Sequence, residues 1–251
     1  MAFAAFGVTI DLAVDDPAVL DAIQPLLPPG WVAAERQDAE TAIELRDRSV
    51  LVDGEQVRRA GLSGGRVAAL DAVIRSRLGE LAPRHVFVHA GVVAMHGSAI
   101  VLPGSTMAGK TTLVAALVKA GAEYLSDEFA VLDEDGLVHP YPKPLSIRLD
   151  PGRRKQTEVP IEMHGGQVGG ERVPVAVIAV TRFVPDAEWR PVSRTAAEGA
   201  MALLASALPA RLRPAQTLTT LRRACANALV VEGPRGDAPT AARELLELLS
   251  G

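Results

Sequence analysis

The chain has 251 residues, 48% of them apolar and 22% charged, enough to bury a sizeable core in one α/β domain or in a core with a smaller lobe. A formal charge of −4 offers no basic face to nucleic acid. Its single cysteine, Cys225, excludes a disulfide framework and a thiolate metal site.

The opening, MAFAAFGVTIDLAV, carries no Lys or Arg ahead of its apolar residues, so it lacks the positive region of a signal peptide, and a cytoplasmic protein is expected. Residues 8–14 predict a strand, and 17–27 a helix opened by Asp15 and Asp16 and closed by Pro28-Pro29-Gly30. Strands are expected over 41–45 and 50–52, followed by an Asp53-Gly54 turn. Leu70, Val73, Ile74, Leu78 and Leu81 share one face of a helix over 68–81. Residues 1–84 hold no motif with chemistry and read as a covering or self-associating lobe.

Residues 86–109 carry no formal charge, but His89, Gly91, His96, Gly97, Pro103 and Gly104 interrupt them. Two buried strands joined by a turn, 86–89 and 92–95, are therefore predicted rather than a membrane span. His96-Gly97 leads to the apolar strand Ala99-Ile100-Val101-Leu102. A phosphate-type loop follows, then a helix over 112–120 stopped by Gly121. Residues 123–125 predict a strand entering Ser126-Asp127-Glu128, and 129–132 another, ending in a polar turn at Asp133-Glu134-Asp135-Gly136. A stretch studded with Pro140, Pro142 and Pro144 precedes a strand over 145–149. Arg153-Arg154-Lys155 and the glycines at 165, 166, 169 and 170 read as exposed loop. A strand over 173–180 and helices over 196–207, 217–227 and 239–249 finish the chain, with Cys225 as core filler. This succession indicates an α/β sandwich.

Gly104-Ser105-Thr106-Met107-Ala108-Gly109-Lys110-Thr111 fits G-x-x-x-x-G-K-[ST] without mismatch. Strand, loop and helix follow in the order the motif requires. Its glycines let backbone N–H groups surround phosphate oxygens, Lys110 reaches the β- and γ-phosphates, and the Thr111 hydroxyl can hold Mg²⁺. Thr112, at the start of the helix, is a further candidate contact. Of 26 basic residues only four are lysines, so a lysine where a compact ammonium is needed is informative. Transfer also needs carboxylates, and Asp127 and Glu128 lie one helix and one turn after Lys110. Two adjacent acids on an extended segment point to opposite faces, so one can aim at the γ-phosphate. The bland alternative is a pair of solvated turn acids. His89 can approach from a neighbouring strand or be a structural histidine. Arg148, alternating with Ile147 and Leu149, is a phosphate clamp or a surface strand residue.

Together these residues resemble the HPr kinase/phosphorylase family, which shares its nucleotide fold with phosphoenolpyruvate carboxykinase. The resemblance covers 85–149 well and the C-terminal part loosely. His89-Ala90-Gly91 falls at the family's distance from Lys110, and Asp127-Glu128 corresponds to its acidic pair, usually Asp-Asp. Leu145-Ser146-Ile147-Arg148 is similar to its shorter kinase-like relatives. The resemblance implies a P-loop nucleotide-binding core of that type over 85–251 and a smaller N-terminal α/β lobe over 1–84. It implies ATP, or another nucleoside triphosphate, and Mg²⁺ held by Thr111 with Glu128 and Asp127. Asp127 would take the proton of a serine hydroxyl on a small protein or peptide, such as a lasso-type precursor, with His89 supporting it. No nucleic-acid or membrane partner is expected, and a homo-oligomer is compatible with the hexamers of related enzymes. A small-molecule hydroxyl kinase and a nucleotide-binding regulator without transfer are the competing readings.

Overall fold

The computed structural model describes residues 1–61, 65–104, 109–147 and 157–249, which fall into two compact units, Met1–His85 and Val86–Gly251. In the first unit, β1 (Ala2–Ala5) turns into β2 (Val8–Val14) through Phe6-Gly7, left-handed at φ 49° and 77°. Two positive φ values give a hairpin turn whose twist matches antiparallel strands. In α1 (Pro17–Ile23) the Asp16 carboxylate caps the start, accepting from the Ala18 N–H at 3.0 Å. The helix stops short of the expected end at 27. Pro25 has no N–H to donate, and a 3-10 turn, Gln24–Leu26, takes over. Next come β3 (Val32–Ala34), β4 (Thr41–Arg46), β5 (Ser49–Val52), β6 (Glu55–Arg59) and α2 (Gly65–Leu81). Among the described residues they form a six-stranded mixed sheet, ordered β3-β1-β2-β4-β5-β6. Val8, Ile10 and Leu12 alternate inward with Ile43 and Leu45, and α2 buries Leu70, Val73, Ile74 and Leu78. Periodicity did not mark β6, whose EQVRR is exposed throughout.

The second unit begins with β7 (His85–Met95), β8 (Ser98–Pro103), α3 (Lys110–Lys119), β9 (Glu123–Ser126), β10 (Phe129–Asp133) and β11 (Val138–His139). A ribbon of β12 (Leu145–Ile147) and β13 (Thr157–Val159) follows. Then come β14 (Val175–Phe183), β15 (Val192–Arg194), α4 (Ala196–Leu204), α5 (Pro214–Cys225), β16 (Leu229–Arg235) and α6 (Ala238–Glu247). The main sheet is mixed, ordered β11-β10-β7-β8-β14-β16-β15, with β9 also on β7. Strand alternation divides its core. Val92, Ala99, Val101, Ile178 and Val230 pack toward α4 and α5 with Leu203, Leu221 and Cys225. Val93, Ile100, Leu102, Val177 and Val231 pack toward α3 and α6 with Leu113, Leu117, Ala242 and Leu245. No described helix is long and apolar enough to cross a membrane.

Two expectations are corrected here. β7 is one strand, not two joined by a turn. Gly91 is needed for close approach instead: a Cβ there would lie 2.6 Å from Val114 Cγ2, so its absence lets α3 sit on the sheet. The glycines at 166 and 169 do not form a solvated loop. Tyr124 N–H donates to the Gln167 carbonyl at 2.8 Å, and Gly169 N–H to the Tyr124 carbonyl at 3.0 Å. A Cβ on Gly166 or Gly169 would strike Val118 at 2.3 Å or Leu125 at 2.5 Å, so this segment packs tightly over β9 and α3. Residues 229–235, for which no element was expected, form β16, parallel to β14 and antiparallel to β15.

The polar turn at 133–136 is also more than solvated acids. Asp133 is buried, accepts from the N–H groups of Asp135 and Leu137 at 3.0 Å, and pairs with Arg172 at 3.0 Å and His139 at 2.9 Å. Burial acts to raise its pKa, but the hydrogen bonds from His139, Leu137 and Arg172 outweigh it and hold the carboxyl low. Gly136 completes the turn at φ 83°, and a Cβ there would lie 2.5 Å from Ala224 N in α5. Gly136→Ala combines a left-handed penalty of about 1–2 kcal/mol with a backbone clash. Thermal unfolding of this variant should occur at least about 5 °C below wild type; an unchanged Tm would overturn this account of the turn.

Candidate functional site

β7 runs antiparallel to both β8 and β9, so the ends of β8 and β9 reach the same edge of the sheet. β14 and β16 run parallel to β8 and end there too, at Phe183 and Arg235. Open α/β sheets bind ligands in crevices along this carboxyl edge.

The chain leaves β8 at Gly104 and enters α3 through Gly109, left-handed at φ 76°, with no side chain capping the first helical N–H groups. Those N–H groups and the helix dipole favour an anion. Lys110 is buried, and its ammonium donates to the Gly104 carbonyl, so the two ends of the loop are tied together. Burial pulls the Lys110 pKa down to about 8, with the Asp127 carboxylate acting to raise it. Ser105, Thr106, Met107 and Ala108 lie outside the described residues, as do Arg148, Arg153, Arg154 and Lys155. Thr111 is half-buried and Thr112 exposed.

β9 ends at the fully buried Ser126, whose hydroxyl accepts from the N–H groups of Glu128 at 3.1 Å and Phe129 at 3.0 Å. This tight bend sends the two following carboxylates in different directions. Asp127 turns to the start of α3, where its Oδ2 accepts from the Thr111 hydroxyl at 3.2 Å. Glu128 pairs with Lys143 at 3.4 Å. Burial first, and the Glu128 charge second, raise the Asp127 pKa, while Thr111, Lys143 and Tyr124 oppose them. Tyr124 lies 3.3 Å from Asp127 Oδ1 and 2.7 Å from the Lys143 carbonyl. A phenol has one proton, so these two acceptors share or alternate for it, and donation to Asp127 favours the ionised carboxylate.

His89 lies on the strand beside the phosphate-loop strand. By alternation it shares the face of Gly91 and Val93, on which α3 packs. Its ring stands edge-on to Phe129 at 5.9 Å. Burial and the Lys110 ammonium lower its pKa, against Glu128, which favours the charged ring. His89 is therefore neutral at pH 7, a hydrogen-bonding group rather than a cation. Phe87, Phe129 and Tyr141 meet edge-to-face at 5.7–5.8 Å. Phe129, shared with His89, brings this aromatic trio next to the histidine.

The sequence reading missed three residues. Tyr124 and Lys143 meet Asp127 and Glu128 only through tertiary packing; the rarity of lysine was the one available signal for Lys143. Arg235, 2% exposed, donates to the carbonyls of Gly109 at 2.8 Å and Gly236 at 3.0 Å and lies over the Phe183 ring at 5.6 Å. Its contact point, Gly109, is the left-handed residue that opens α3, so Arg235 braces the phosphate loop's exit. Among the described residues no cluster of three or more His, Cys, Asp or Glu could hold a metal by itself. The oxygen donors present, the Thr111 hydroxyl and the adjoining carboxylates, suit Mg²⁺, which binds through one or two carboxylates together with substrate phosphates.

No family model and no curated protein matches the sequence. Among solved structures, the chain is similar to an HPr(Ser) kinase/phosphatase from Coxiella burnetii, at 18% identity and a TM-score of 0.36 over 66% of this chain and 99% of that one. The likeness is distant, and what the site can do has to be read from its own residues.

Proposed function

We propose that this chain is an ATP-dependent phosphotransferase acting on a hydroxyl, a serine of a small protein or peptide in the first instance. The observation that carries the reading is the Thr111–Asp127 hydrogen bond of 3.2 Å, which joins the phosphate-loop threonine to a buried carboxylate. The intact G-x-x-x-x-G-K-[ST] motif and the resemblance of the 85–149 segment to HPr kinase/phosphorylase support it.

In this mechanism the α3 N–H groups and Lys110 hold the β- and γ-phosphates. Mg²⁺, held by Thr111 with Glu128, would supply charge neutralisation between the phosphates. Asp127 in its ionised form accepts the proton of the acceptor hydroxyl. A bond forms between that oxygen and the γ-phosphorus, the bond from the γ-phosphorus to the β–γ bridging oxygen breaks, and ADP leaves. Burial, by raising the Asp127 pKa, makes it a stronger base than a surface aspartate. Neutral His89 can orient the hydroxyl without adding charge.

The test is ADP release with Mg²⁺ and ATP over a panel of serine-containing peptides, read together with peptide mass. The expected product is heavier by about 80 Da, the mass of one phosphoryl group. Nucleotide binding with neither ADP nor a phosphorylated product would sink the transferase reading.

A further inference from the structure

Lys143 is one of only four lysines in the chain, and two of the four, Lys110 and Lys143, come to the same pair of acids. Its backbone is fixed from two directions. The buried Tyr124 hydroxyl donates to the Lys143 carbonyl at 2.7 Å, and two residues earlier the Tyr141 N–H donates to the Leu125 carbonyl at 3.0 Å. Pro142 and Pro144 flank it and restrict the segment further. The side chain is 15% exposed and its ammonium lies 3.4 Å from a Glu128 carboxylate that is 23% exposed. Lys143 also acts electrostatically on Asp127. Asp127 thus lies within the fields of two ammoniums, those of Lys110 and Lys143.

A partly buried pair with Glu128 alone loses solvation on both sides, and the anchored backbone keeps the Lys143 ammonium beside the acids whether or not Glu128 holds it. A γ-phosphoryl group beside Asp127 would be a far more highly charged partner than Glu128, and would compete with it for the ammonium. We propose that Lys143 is a second phosphate-binding lysine that leaves Glu128 to contact the γ-phosphoryl group of a bound nucleoside triphosphate. Lys110 then grips the phosphates from the loop side and Lys143 from the acid side. Glu128, released, is available to Mg²⁺. Charge accumulating on the equatorial oxygens during transfer meets an ammonium already in position. This inference rests on the phosphotransferase reading, because it needs a triphosphate at the loop.

The experiment compares Mg²⁺-ADP with Mg²⁺-AMP-PNP, a non-transferable triphosphate, by calorimetry on wild type, Lys143→Met and Lys143→Arg. Methionine keeps the apolar stem and removes the charge. It should weaken AMP-PNP by about 10–100-fold, as expected for a lost charge-assisted hydrogen bond, and leave ADP affinity unchanged. Arginine should restore most of the preference. Unchanged ADP affinity doubles as the check that the variant is folded. Equal losses for both nucleotides, or no loss for either, would overturn the assignment. A second measurement uses the wild-type chain alone: AMP-PNP should slow acetylation of Lys143 by dilute acetic anhydride more than ADP does, and equal rates count against the proposal. Failure of wild type to bind either nucleotide overturns the phosphotransferase reading itself, so the two failures are distinguishable.

Discussion

Asp127→Asn should lower phosphoryl transfer by about 10²–10⁴-fold, the usual contribution of a positioned general base, and leave nucleotide affinity essentially unchanged. Asparagine is the same size and keeps an oxygen to accept from the Thr111 hydroxyl, so the 3.2 Å contact can persist. Its amide nitrogen can face the Tyr124 oxygen and donate to it, while the Tyr124 proton stays directed at the Lys143 carbonyl. What disappears is the ability to take a proton from the acceptor. Because the change acts on transfer alone, it separates an enzyme from a nucleotide-responsive regulator. A regulator would keep its output in this variant. Steady-state ADP release together with AMP-PNP titration reads both quantities. Turnover equal to wild type would remove Asp127 from the chemistry.

Lys110→Ala should act on binding. The ammonium is buried, tied to Gly104, and the only described lysine on the loop, so its loss should weaken triphosphate affinity by about 10–100-fold. The wild-type chain carries a related signature in its pH dependence. Burial holds the Lys110 pKa near about 8, and the charged form is the one that binds phosphate. Bound phosphate raises that pKa, since an anion favours the ammonium. Affinity is therefore full below about 8 and is lost as pH rises through it. The fall approaches about tenfold per pH unit until the pKa of the complex is reached. Titration with AMP-PNP between neutral and alkaline pH checks this. An affinity that is flat across the range would contradict the lysine's role.

The parts of this protein visible in the sequence are those dictated locally. The period-two runs at 8–14 and 41–45, the capped helix after Asp16, and the strand and helix on either side of the G-x-x-x-x-G-K-[ST] motif all announce themselves within a few residues. The closeness of Asp127 to Thr111 matches the spacing of the acidic pair from that motif. Local signals misled where a residue serves a distant neighbour. Gly91 looked like a turn because nothing nearby reveals the Val114 methyl group that excludes a side chain there. Gly233-Pro234 concealed β16 because its pairing with β14 comes from a strand that ends fifty residues earlier in sequence, at Phe183. Gly166 and Gly169 suggested a free loop although α3 and β9 press against them. In the site, Tyr124 and Lys143 gained their meaning only when Ser126 folded the acids back between them.

The Arg235–Gly109 hydrogen bond joins residues 126 positions apart. During synthesis the phosphate loop leaves the ribosome long before its brace does. A nascent chain that ends short of β16 already holds Lys110, Asp127 and Lys143, yet its loop exit has no arginine beneath it and its sheet no strand between β14 and β15. The hydrogen bond beneath Gly109 thus waits for β16 to be translated, and a chain that ends before it would carry these charged groups without that support.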